Sequence, residues 1–119
     1  MCLTTVELEV ANPRQPERRV QVEALVDSGA ILSVVPEAIL RELGIAPVEE
    51  RRFFLADGSA VTRRVGNAHW FYAGRETVAP VLFGEEGDAT LLGALTMEAL
   101  GLALDPCRRG LRPAVMRMG

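Results

Sequence analysis

The chain has no lysine, two cysteines, one histidine and few aromatic residues. Each scarcity removes a class of function. Cys2 and Cys107 alone make neither a metal site nor a disulfide framework; free thiols in a cytoplasmic protein are expected. With His69 as the single histidine, a Ser-His-Asp or Cys-His mechanism has to use it. Nothing in its surroundings beside Trp70 recommends that, and a packed or strand-edge residue is the plainer reading. No stretch is long and apolar enough to span a membrane, and the N-terminus lacks the basic-then-apolar layout of a signal peptide. A net charge of −3 argues against nucleic acid as a partner. The 13 basic residues are all arginine, a bias without functional content of its own. No metal and no cofactor is called for.

What is present is a chain of 119 residues, 49% of them hydrophobic. That length fits one domain, residues 1–119, with one core, and so apolar a composition excludes disorder. With aromatics scarce, the core must come from Val, Leu, Ala and Ile.

Thr4, Val6, Leu8 and Val10 alternate with Thr5, Glu7 and Glu9, the pattern of a half-buried strand. Asn12-Pro13 and Gln15-Pro16 mark a turn. Val20, Val22 and Ala24 begin a second strand that becomes wholly apolar at Leu25-Val26. Pro36-Glu37 opens a helix with Ile39, Leu40 and Leu43 on its apolar face, ended by Gly44 as a left-handed cap. Asp57-Gly58 between Phe53-Phe54-Leu55 and Ala60-Val61-Thr62 is a hairpin signal. Gly66-Asn67 and Ala73-Gly74-Arg75 read as further turns, and 84–88 as an exposed acidic loop. A short helix follows Leu91-Leu92-Gly93, about Leu95 to Leu100, and Asp105-Pro106 breaks the chain. The two helices end alike, in Leu43-Gly44 and Leu100-Gly101, so Val26–Ala30 and Thr90–Ala94 look like corners of a degenerate duplication. Only the first corner carries an acid.

That corner, Asp27-Ser28-Gly29-Ala30 after Leu25-Val26, is the chain's most informative feature. A carboxylate leaving a buried strand is costly unless something satisfies or uses it. Ser28 can fix the loop by hydrogen bonding, and Gly29 lets backbone approach closely. Two readings stay open on the residues alone: an Asx turn or helix cap without chemistry, or a catalytic acid. Asp57 reads as a turn residue, and Arg108, Arg109, Arg112 and Arg117 as a solvated tail.

Three motifs together resemble the retropepsin-like aspartic proteases, and more closely their small bacterial and archaeal members. They are Asp27-Ser28-Gly29-Ala30, the Asp57-Gly58 hairpin where that family has its flap, and Leu91-Leu92-Gly93 with the helix and Leu102–Pro106 behind it. The resemblance covers nearly the whole chain. It implies a mainly β fold: a closed, pseudo-twofold acid-protease barrel with one or two short helices. It also implies an aspartic endopeptidase acting on extended peptides as a homodimer, because one Asp-Ser-Gly supplies one of the two acids required. Asp27, Ser28 and Gly29 take the catalytic places, with Ser28 bonding across the twofold axis. Ala30, Ala56, Asp57, Gly58 and Ser59 take the substrate-binding ones. Leu111, Val115 and Met116 are candidates for strands interleaved across the dimer. Ala56 and Ser59 depart from the glycine-rich flap, which leaves a catalytically inactive dimer, a peptide-binding or scaffold module, as the alternative.

Overall fold

The computed structural model describes residues 4–105, 110–115 and 118. Cys2, Cys107, Arg108, Arg109, Met116 and Arg117 lie outside the described residues. The chain is mainly β. β1 (Thr5–Asn12), β2 (Gln15–Asp27) and β3 (Ser33–Pro36) precede α1 (Glu37–Glu42). β4 (Glu49–Phe54), β5 (Ala60–Tyr72), β6 (Arg75–Gly84) and β7 (Leu91–Gly93) precede α2 (Ala94–Ala99), and β8 (Leu102–Asp105) and β9 (Gly110–Pro113) follow.

The alternation read in the sequence is the alternation of burial. Val6, Leu8 and Val10 point inward while Thr5, Glu7 and Glu9 are exposed. With Val22, Ala24, Val35, Leu40, Ala68, Val81, Phe83 and Leu92 they form one core around Trp70, which is fully buried. The aliphatic core expected from composition therefore also holds two large aromatics, Trp70 and Phe83.

Turn chemistry explains the hairpins. Asn12 Oδ1 accepts a hydrogen bond from the Arg14 N–H at 2.9 Å, closing a tight turn at Pro13-Arg14; Gln15 and Pro16 already belong to β2. Between β5 and β6 both central residues, Ala73 and Gly74, have positive φ, the twist that suits a two-residue hairpin. Gly66-Asn67 is not a turn. β5 runs straight through it, with Gly66 opposite Val81 and Asn67 opposite Pro80. The glycine is needed for space: a Cβ there would sit 2.9 Å from the Ala46 carbonyl oxygen and 3.0 Å from the Phe83 ring.

The seven-stranded sheet has the order β1-β2-β7-β3-β6-β5-β4, and β1 also pairs with β5 through Glu9–Ala11 and His69–Phe71. β8 and β9 make a separate antiparallel pair. The expected duplication is present with a different alignment. The β1–β2 hairpin corresponds to β5–β6, β3 to β7, and α1 to α2. The parallel pair β2–β7 sets Asp27 beside Gly93, and the parallel pair β3–β6 sets Pro36 beside Gly84. Asp27 and Gly84 stand at the same separation from the helix that follows each. Leu91-Leu92-Gly93 is thus the counterpart of Val34-Val35-Pro36, and the place matching Asp27 is held by Gly84. Both helices end with a glycine in the left-handed region, Gly44 at φ 76° and Gly101 at φ 71°, as the sequence predicts for Gly44.

Candidate active site

Asp27 is the last residue of β2, half-buried, and the loop after it turns at once. The Gly29 N–H donates to Asp27 Oδ1 at 2.9 Å, and the Ala30 N–H to the Asp27 carbonyl at 3.1 Å. A Cβ on Gly29 would stand 3.3 Å from that same Oδ1, so glycine serves the close approach of backbone to carboxylate. Its φ is not in the left-handed region, so handedness is not the reason.

The other half of the molecule holds this loop in place. The first N–H groups of α2 find partners on it: Ala94 donates to the Ala30 carbonyl at 2.7 Å and Leu95 to the Ile31 carbonyl at 3.1 Å. These donors would otherwise be orphans at a helix start. Gly93 packs so tightly that a Cβ would lie 2.6 Å from the Leu32 carbonyl carbon. Its N–H donates to Ser33 Oγ at 2.9 Å, and Ser33 Oγ shares a 2.6 Å hydrogen bond with Thr96 Oγ1, both side chains fully buried. A satisfied buried polar network of this kind fixes geometry.

Asp27 opens into a cleft of about 810 Å³. Gly29, Ala30, Ile31 and Leu32 line it beside the acid; Phe53, Phe54, Leu55, Ala56 and Val61 line it from the β4–β5 hairpin. Gly87, Asp88 and Ala89 line it from the β6–β7 loop. Most of the lining is apolar, and Ile31 and Phe54 are 71% and 75% exposed. Of the site residues expected from sequence, the cleft brings together Asp27, Gly29, Ala30 and Ala56. Ser28 is exposed beside it and does not line it; Asp57, Gly58 and Ser59 form the hairpin tip and do not line it either. The Asp57 carboxylate accepts from the Ser59 hydroxyl at 2.5 Å and the Ser59 N–H at 2.8 Å. These bonds hold its pKa below the usual carboxylate range, and Gly58 has φ 88°. That is the turn role read for Asp57.

Two charged residues of the cleft escape sequence reading. Arg63 Nε and Nη2 meet the Asp88 carboxylate at 2.7 and 3.1 Å. The hydrogen bond from Arg63, with another from the Glu85 N–H, outweighs burial and keeps Asp88 well ionised; Asp88 in turn raises the basicity of Arg63. They are far apart in sequence, and only the β6–β7 connection brings them together.

His69 is elsewhere. Its Nε2 lies 3.0 Å from Glu76 Oε1 and its ring stacks on Phe71 at 4.3 Å; it is a packed residue in a strand paired on both sides, with β1 and with β6. Among the described residues no group of three or more His, Cys, Asp or Glu could hold a metal ion, and no helix is long and apolar enough to cross a membrane.

The sequence matches no family model and no curated protein. The fold does have solved counterparts. The simian foamy virus (mac) protease is similar with a TM-score of 0.53 at 25% identity, over 78% of this chain and 92% of that one. A retropepsin-like aspartic protease from Rickettsia conorii is similar with a TM-score of 0.51 at 16% identity, over 88% of this chain and 89% of that one. The resemblance read from the three sequence motifs is thus carried by the fold, and the chain is retropepsin-like in structure.

Proposed function

We propose that the chain is an aspartic endopeptidase, active as a homodimer in which Asp27 of each copy supplies one acid of a catalytic pair. The observation that carries this reading is that Asp27 lines an 810 Å³ cleft together with residues of the β4–β5 hairpin. The aspartic proteases among its structural neighbours support the same class of chemistry. The place matching Asp27 in the second half is Gly84, so the chain has no internal second acid there. A twofold axis, which sets like residues face to face, supplies it from another copy.

The chemistry then follows from two carboxyls about 3 Å apart, which share one proton because both cannot ionise. The ionised member takes a proton from a water as that water attacks the scissile carbonyl. The protonated member donates to the carbonyl oxygen and later to the leaving nitrogen. Gly29 holds its Asp27 by one N–H, leaving the other carboxylate oxygen for water or the partner acid. Ser28, exposed next to it, takes the cross-axis hydrogen bond that the resemblance implies, and the strand ends around Leu111 and Val115 join the dimer contact. The β1–β5 pairing supports reading the sheet as a closed barrel. Ala30 and Ala56 contact the substrate inside the cleft, with Asp57, Gly58 and Ser59 at the rim. An extended peptide suits this cleft because it can pair with backbone of the hairpin while its side chains enter apolar walls. A cytoplasmic setting belongs to the same proposal.

The test is cleavage of an extended-peptide library by the wild-type chain and by Asp27→Asn. The variant should lose about a thousandfold or more of the rate, as removal of a general base does, with secondary structure and dimerisation unchanged. Wild-type activity should be bell-shaped in pH, falling when the base is protonated and again when the shared proton is lost. Equal activity in the variant contradicts the mechanism. Tight peptide binding without cleavage by the wild type indicates a binding module instead.

A further inference from the structure

Asp27 is one of three charged residues lining the cleft; the other two, Arg63 and Asp88, are bonded to each other. Arg63 lies on β5, the strand that continues from the hairpin, and Asp88 lies in the β6–β7 loop. The pair is two-pronged, at 2.7 and 3.1 Å, and its side chains are only 16% and 27% exposed. A two-point guanidinium–carboxylate contact fixes direction as well as distance. Asp88 also organises its own loop: its Oδ2 accepts from the Glu85 N–H at 2.8 Å, and its N–H donates to the Glu85 carbonyl at 2.9 Å. Gly87 supplies the left-handed corner at φ 90°. Glu85 adds a carboxylate 3.6 Å from Arg63 Nη1, and the Thr62 carbonyl accepts from the same nitrogen at 3.1 Å. One carboxylate therefore both closes the loop and ties it to β5, and residues 87–89 of that loop are a wall of the cleft.

We propose that Arg63 is a positioning residue: its two-point pair with Asp88 clasps the 85–89 loop to the strand carrying the hairpin and so sets the gap that a substrate peptide enters. The substrate half of this statement rests on the peptidase reading above; the clasp itself does not. An exposed single-point pair would hold little. Here both partners are mostly covered, the contact is bidentate, and the carboxylate has further backbone bonds. Lysine cannot replace arginine in such a fork without losing one prong.

Amide hydrogen exchange of residues 84–90, corrected for intrinsic rates, and peptide kinetics on wild type, Arg63→Gln, Arg63→Lys and Asp88→Asn test this. Loop exchange should rise about fivefold in Arg63→Gln, the scale of a lost surface pair with good geometry, while melting of the whole domain shifts little. KM should rise by a similar factor with kcat within about twofold, and Arg63→Lys should fall between. Should Arg63→Gln fail to fold, Asp88→Asn, which keeps an acceptor for the Glu85 N–H, gives the same reading. Loop exchange equal to wild type in a folded Arg63→Gln or Asp88→Asn overturns the clasp. Full rescue by Arg63→Lys overturns the two-point requirement. Faster loop exchange with unchanged KM overturns the substrate half and leaves the peptidase standing. A wild type that neither binds nor cuts peptide overturns the peptidase reading and the substrate half together, while exchange still decides the clasp.

Discussion

In the first half of the sheet β2 ends on Asp27, β3 follows, and α1 ends on Leu43-Gly44; in the second β6 ends on Gly84, β7 follows, and α2 ends on Leu100-Gly101. The scaffolds match and the side chains diverge. The first half presents a carboxylate at the strand end, held by one backbone N–H. The second has no side chain there and sets its acid further on, where Asp88 is bound by Arg63 and by its own loop. The difference shows how one backbone device serves two ends. An acid left with an open oxygen is available for chemistry, while an acid whose oxygens are both bonded holds a loop. The halves also lean on each other: α2 and Gly93 support the acid loop of the first half, through contacts that Gly84 and Pro36 echo more loosely.

That asymmetry can be broken most severely at Gly93. In Gly93→Ala the added Cβ meets backbone 2.6 to 2.9 Å away at Ile31 and Leu32, which cannot yield as a side chain can. A loss of about 3 kcal/mol is expected in denaturant melts, in the upper range for overpacking. Gly84→Ala meets Val34 Cγ1 at 3.0 Å and the Val35 carbonyl oxygen at 3.3 Å, longer contacts than those at Gly93, and should lose about 1 kcal/mol. Equal losses at the two positions would mean that the halves are supported alike.

Ser33→Ala comes next. It leaves the Gly93 N–H and Thr96 Oγ1 buried without their shared partner. About 2 kcal/mol should be lost, the scale of an unsatisfied buried polar group. A double-mutant cycle with Thr96→Val should show coupling, since the pair spans the two halves; strict additivity would show that the bond does not join them.

The smallest effect is electrostatic and concerns the second half alone. Asp88 is more acidic folded than unfolded, first because Arg63 bonds its carboxylate. Its contribution is therefore full above its unfolded value, near pH 4. It is lost as pH falls through the lower folded value. Arg63 from β5 is the charged group paired with it, and the Glu85 carboxylate of the same loop faces that guanidinium. Acid melts of the wild type should fall more steeply below about pH 4 than those of Asp88→Asn. Parallel curves would remove Asp88 from the acid response.

Much of this was legible in the sequence wherever the signal is local. Asp57-Gly58 between strand-like runs, Gly44 after a helical face, and the burial alternation of β1 each report chemistry within a few residues. Gly66 misleads because glycine signals both a turn and a close approach, and only packing against Ala46 and Phe83 tells them apart. The echo of the halves was visible but shifted, because apolar runs ending in a corner occur both before the loop, at Leu25-Val26, and before the helix, at Leu91-Leu92. In the cleft, Asp27, Gly29, Ala30 and Ala56 come from one motif and one hairpin. Arg63 and Asp88 depend on the β5–β6 pairing and the loop return, neither of which local periodicity encodes.

Catalysis by Asp27 depends on where the second acid comes from. A crystal structure of the protein with an uncleavable extended peptide measures this directly, as the separation of the two Asp27 carboxyls across the dimer axis. A separation of about 3 Å, with the peptide passing between them, is predicted for a shared-proton pair. A twofold dimer whose Asp27 side chains face away from each other, or a peptide bound to a single copy, would contradict it.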